Sequence, residues 1–244
     1  MTMNYYDVVN NAKKVNRKGY GKVSFQKCDV WLRGNQINLW TYWQGYQLQD
    51  IDKLGVDVLL VGQDWGNPWK EGNHCAIEAI KMMQSGCDVP YVADSSTDKT
   101  LREMFKVFGP KVDIMEKNPG LRLFFTNYSL GYRNRNESGG MTKTLLKQDE
   151  KYFNQLVEAI SPKIIICLGK ITYEVVAGCV EKNFTKQLSD GKPLKSSFFV
   201  KNDDISIPVY GVAHCGSWGK RNIGGENKMK SAWIQIAKEY YAMN

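Results

Sequence analysis

Histidine is scarce in this chain, with only His74 and His214 among 244 residues. His74 sits beside Cys75 in a helical pattern with no second ligand at metal spacing, so no metal site is expected. The six cysteines (Cys28, Cys75, Cys87, Cys167, Cys179 and Cys215) include no CxxC pair, which argues against a disulfide framework and for reduced thiols. No apolar run approaches the roughly 20 residues of a membrane span. Residues 1–20 also lack the apolar stretch of a signal peptide, so a cytoplasmic protein with no membrane partner is expected. No nucleophile-elbow sequence is present, which removes the usual setting of a serine triad.

What the chain does contain is enough apolar residue, 43% against 24% charged, to bury one good core. We expect a single domain over residues 1–244. Its first 50 residues form a basic, aromatic extension packed on the rest, because tryptophans as dense as Trp31, Trp40 and Trp43 more often pack than stack on bases. The formal charge of +8 and a pI near 9.0 favour a polyanionic partner without identifying it.

Four short apolar runs recur along the chain: Val56–Val61, Leu121–Phe125, Lys163–Leu168 and Ile207–Ala213. Helical patterns lie near His74–Ser85, Asp98–Val107, Gln148–Ile160, Ile171–Glu181 and Asn227–Tyr241. Strands alternating with helices predict an α/β fold, a three-layer α/β/α sandwich around a mainly parallel four-stranded sheet. Right-handed crossovers bring the ends of such strands to one edge.

Reading those ends gives Gly62-Gln63-Asp64-Trp65-Gly66, Thr126-Asn127-Tyr128, Gly169-Lys170 and His214-Cys215-Gly216-Ser217-Trp218. A carboxylate, an amide and an imidazole are thereby predicted to share a cleft. Each has a plainer role open to it: Asp64 as a helix cap, Asn127 as a turn former, His214 as a partly buried donor.

These segments resemble the uracil-DNA glycosylase superfamily. Gly62-Gln63-Asp64 is similar to its first motif, Thr126-Asn127 to its base-reading segment, and the stretch from His214 to Asn222 to its last motif. The segment from Asp88 to Phe105 looks like the one that supplies an aromatic stacked on the base. The resemblance covers roughly residues 56–241. It departs at Cys215-Gly216, where the family usually has Pro-Ser, and at Trp65-Gly66, where the better-known branch has Pro-Tyr. Some branches hold an iron–sulfur cluster on four cysteines. The cysteines here are too few and wrongly spaced for it, so no cofactor is expected.

The resemblance implies a uracil-DNA glycosylase-like fold and a monofunctional DNA glycosylase, a monomer that binds single- or double-stranded DNA and releases free uracil. It makes Asp64 and His214 catalytic, and Gly62, Gln63, Tyr91 and Asn127 the base pocket, with Trp69 as the substitute for Tyr91. Trp218 becomes the wedge that enters DNA, while Ser217, Lys220, Arg221 and Arg133 become phosphate contacts. Two other readings stay open: a nucleotide- or DNA-binding protein of the same fold, and a glycosylase for another base.

Overall fold

The computed structural model describes residues 4–12, 55–64, 96–114, 116, 119–129, 140–200 and 205–243. Their centre is β1 (Val56–Gly62), whose seven residues are all buried, as expected of a strand covered on both faces. On one side β1 pairs in parallel with β2 (Leu123–Asn127), and on the other with β3 (Pro162–Leu168). Beyond β3 comes β5 (Ile205–Val212), also parallel. The edge is closed by β4 (Leu194–Val200), antiparallel to β5. The sheet order is β2-β1-β3-β5-β4.

Among the described residues the sheet thus has five strands, not the four predicted. The missed strand reads Leu-Lys-Ser-Ser-Phe-Phe-Val. Its ends are buried but its middle is half-exposed, so it presents neither an apolar run nor a clean alternation. Two other boundaries move. The run read as Leu121–Phe125 pairs over Leu123–Asn127, so Asn127 is the last strand residue and not the first of a loop. The helix read to Glu181 ends at Val176, and Gly178 at φ 62° follows.

Helices flank the sheet, an arrangement consistent with three α/β/α layers. The β1-to-β2 and β2-to-β3 connections run in opposite directions along the sheet, so right-handed crossovers put them on opposite faces. One group is α1 (Tyr5–Ala12) with α4 (Glu150–Ile160). The short helix α1, which the sequence did not betray, buries Tyr5, Val8 and Ala12, and the Tyr5 ring meets Phe124 of β2 edge-on at 5.9 Å. In α4 the buried residues Phe153, Leu156, Val157 and Ile160 keep the i, i+3, i+4, i+7 spacing of one helical face. Ser161 ends that helix in the left-handed region at φ 42°, and Pro162 opens β3, where a missing N–H costs least.

The other group is α2 (Ser96–Phe105), its 3₁₀ extension Lys106–Phe108, and α8 (Glu226–Ala242). Met229, Ala232, Trp233, Ile236, Ala237 and Tyr240 form the buried stripe of α8. Trp233 is wholly buried against Phe105 (5.1 Å) and Phe108 (6.5 Å), an aromatic cluster that locks α8 to α2. Between these groups in sequence lie α3 (Lys143–Leu146), α5 (Lys170–Val176), α6 (Phe184–Ser189) and α7 (Ser217–Asn222). The predicted helix near His74–Ser85 lies outside the described residues, as does most of the basic, aromatic extension. No described helix is long and apolar enough to cross a membrane.

The amino-terminal edge of the sheet is tied by charge. Asp57 of β1 accepts from Arg122 through its backbone N–H (2.9 Å), Nε (2.9 Å) and an NH2 group (2.6 Å), with Lys163 Nζ at 3.3 Å. Burial alone would raise the Asp57 carboxyl, but the hydrogen bonds and charge of Arg122 outweigh it and bring the pKa to about 2. Burial and the bond to this carboxylate push the Tyr240 hydroxyl the other way, up to about 12.

Candidate functional site

At the carboxyl edge, strand order reverses between β1 and β3: the chain leaves β1 toward β2 and leaves β3 toward β5. Open α/β sheets bind ligands at such a switch point. The loop after β1 begins there with Gln63 and Asp64, both half-buried. Two backbone bonds continue past the strands and pin this loop to the one after β2: Tyr128 N–H to the Gly62 carbonyl (2.9 Å) and Ser129 N–H to the Gln63 carbonyl (3.1 Å).

Gly62 and Asn127 are register partners. A Cβ on Gly62 would overlap Asn127 Oδ1 and sit 3.2 Å from its Cγ, so the amide lies over bare backbone. Glycine is required at position 62 because the amide fills the space a side chain would take. Asn127 is only 6% exposed, and its amide hydrogen-bonds no described residue. Among the described residues the fully enclosed side-chain atoms without a partner are Gln155 Oε1, Thr172 Oγ1 and Trp233 Nε1, so the Asn127 amide, which is not one of them, keeps its donor and acceptor open.

His214 follows β5. The Gly216 N–H donates to its Nδ1 at 3.0 Å. Because an imidazolium has donors at both nitrogens, a ring that accepts at Nδ1 is neutral and carries its proton on Nε2. Electrostatics agree: partial desolvation lowers the ring's pKa below the ordinary histidine value, while the Asp64 carboxylate acts in the opposite sense. That second effect also places Asp64 and His214 within electrostatic reach of one another. The residue keeps an exposed edge, so the ring is both partly desolvated and accessible.

The segment after His214 is a short helix, α7, which the sequence did not suggest because Gly216 opens it and Gly219 interrupts it. Their reason is steric. A Cβ on Gly219 would overlap the His214 carbonyl oxygen, and one on Gly216 would stand 3.0 Å from His214 Nδ1 and 3.3 Å from Thr97 Oγ1. The helix is therefore packed directly on the backbone of the residue it follows. Cys215 lies fully buried under it, and burial raises its thiol pKa, so it is an inert packing residue.

Trp218, in the first turn of α7, is 73% exposed, with Arg221 stacked over its ring at 5.0 Å. It does not pack on the last helix. Ser217 and Arg221 are exposed beside it. Lys220 differs from these rim residues: its ammonium bonds Thr100 Oγ1 (3.1 Å) and Glu226 Oε2 (3.3 Å).

The fold thus gathers Gly62, Gln63, Asp64, Asn127 and His214 at one sheet edge, with Ser217, Trp218, Lys220 and Arg221 beyond His214. Tyr91, Trp65, Gly66, Trp69 and Arg133 lie outside the described residues. No group of three or more His, Cys, Asp or Glu residues that could hold a metal occurs among the described residues. No model of a known protein family matches the chain, and no curated protein matches it either.

Proposed function

We propose that this protein is a DNA glycosylase akin to the uracil-DNA glycosylase superfamily, which flips uracil from DNA and hydrolyses its N-glycosidic bond. The observation that carries the reading is the mostly buried Asn127 amide, with no hydrogen-bond partner among the described residues, at the same sheet edge as a carboxylate and a neutral imidazole. An amide offers one donor edge and one acceptor, the complement of uracil's O4 and N3–H. Strands β1 and β5 are separated by β3, two strand spacings or about 10 Å, a span that side chains reaching inward narrow to the size of one nucleoside.

Extrusion is needed because a base in a duplex is out of reach, and it costs a few kcal/mol. As the bond from C1′ to N1 breaks, the sugar becomes cationic and the base anionic. Asp64 stabilises the cation and orients the water whose oxygen bonds to C1′. His214 donates from Nε2–H to uracil O2, stabilising the departing anion without transferring its proton. Water's proton is lost to solvent, and the uracil anion takes one from solvent after release. Trp218, exposed and stiffened by Arg221, fills the gap left by the flipped base, with Ser217 and Arg221 toward the phosphates. Tyr91 retains its proposed role as the stacking aromatic.

The test is incubation of the purified chain with uracil-containing single- and double-stranded oligonucleotides, followed by alkaline cleavage of abasic sites. Strand scission is expected for the wild type and not for Asp64→Asn. No scission above that control on uracil, hypoxanthine, mismatched thymine or oxidised pyrimidines sinks the enzyme reading. Salt-dependent binding of undamaged DNA without cleavage would identify a nucleic-acid-binding protein of the same fold. Activity only on one of the other bases would reassign the substrate.

A further inference from the structure

Lys220 reads in the sequence as one more cation of a phosphate rim, yet its ammonium is engaged within the protein. Its side chain is 27% exposed and ties α7 to two other helices at once. One tie is to Thr100 of α2, a residue only 4% exposed. The Thr100 hydroxyl already donates to the Ser96 carbonyl at 2.8 Å, so toward Lys220 it acts as acceptor. The other tie is to Glu226, the first residue of α8. Lys220's own N–H donates to the Gly216 carbonyl at 3.2 Å, which links this anchored residue to the glycine whose N–H holds the His214 ring. Thr97, one turn before Thr100, stands against Gly216. The His214 loop is therefore located relative to α2 at two points, 97 and 100.

We propose that Lys220 is a positioning residue, a strut between α7 and Thr100 of α2 that holds Gly216 N–H on His214 Nδ1. Its effect on rate rests on the glycosylase reading; its effect on the ring does not. Without the strut, α7 is free to shift on α2 and the Gly216 N–H loses its aim. His214 then samples both neutral tautomers. Only the Nε2–H form donates to a departing base oxygen, and a displacement on the order of 1 Å at such a group costs roughly 10-fold to 100-fold in rate.

Three variants of the full chain test this. Thr100→Val removes the acceptor at nearly constant shape, Thr100→Ser keeps it, and Lys220→Met keeps the aliphatic stem without the ammonium. Nitrogen NMR of the ring reads the tautomer directly, with only two histidines to assign. The wild type and Thr100→Ser are expected to show an unprotonated Nδ1, and Thr100→Val and Lys220→Met a tautomer mixture. Uracil excision should fall about tenfold or more in kcat for those two variants, with KM within about twofold, and return in Thr100→Ser. The salt dependence of DNA binding should be the same in Lys220→Met as in the wild type.

Wild-type ring signals in both Thr100→Val and Lys220→Met overturn the strut. So does a salt slope lower by about 1 in Lys220→Met with Thr100→Val silent, since that is the signature of a phosphate contact. If Lys220→Met does not fold, the Thr100→Val and Thr100→Ser pair decides alone. If the wild type excises no base, the glycosylase reading fails, and the NMR comparison still decides the strut.

Discussion

Two aspartates mark the two ends of the central strand, and they live in different surroundings. Asp57, at the amino end, is held by Arg122 and Lys163 and is bonded to Tyr240. Asp64, just past the carboxyl end, lies within electrostatic reach of the neutral His214 ring. One end of the sheet spends its charge on itself. At the other, a carboxylate, an amide and a neutral imidazole stand at the carboxyl ends of three strands of one sheet. The same residue type at the two ends of one strand is a staple in one place and a proposed reagent in the other, and neighbouring groups make the difference.

The sharpest way to break that contrast is to neutralise each aspartate separately. Asp64→Asn should cut uracil excision by on the order of 100-fold to 1,000-fold while leaving the melting temperature nearly unchanged. Asp57→Asn should do the reverse, keeping activity per folded molecule and losing about 2 kcal/mol of stability, since a charged hydrogen-bond partner of Arg122 is removed. Comparable loss of activity in both would erase the distinction between the two ends. Next in size is Gly62→Ala, whose methyl must displace the Asn127 amide. We expect a drop of roughly tenfold or more in kcat/KM on uracil, measured in the same scission assay.

Acid titration sharpens the other end. The Asp57 pKa is about 2 in the folded chain, against about 3.9 for an ordinary aspartate. A depressed carboxylate contributes stability that is fully present above the ordinary value and lost as pH falls through the folded one. Thermal melts should therefore show Asp57-dependent loss between about pH 4 and pH 2, with Asp57→Asn flatter over that window. A parallel decline in both proteins would remove Asp57 as the cause. The smallest effect expected is for Trp218→Ala: a few-fold loss on duplex uracil and little on single strands. Equal losses on both substrates would assign Trp218 to something other than opening the duplex.

Much of this arrangement was legible in the chain itself, for a physical reason. Strands buried on both faces must be continuous apolar runs, so β1 and β3 stand out, and the residues directly after them mark the carboxyl edge of the sheet. Legibility fails where burial is partial or contacts are distant. Edge strand β4, with Lys195, Ser196 and Ser197 in its middle, offers no periodic signal. Helix α7 is written with glycines because it packs on backbone, which in sequence looks like a loop. Lys220 looked like a rim cation because its acceptor, Thr100, lies 120 positions away in the chain. Charge alone does not tell which lysines face solvent and which brace the fold.

The close fit of Gly219 against the His214 carbonyl has a consequence for anyone surveying substitutions in this chain. A screen of single variants scored by base excision would return position 219 together with 64 and 214, although glycine brings no reactive group. Its intolerance would measure clearance, not chemistry. The width of the gap between one helix and one peptide carbonyl would be read out as if it were a catalytic residue.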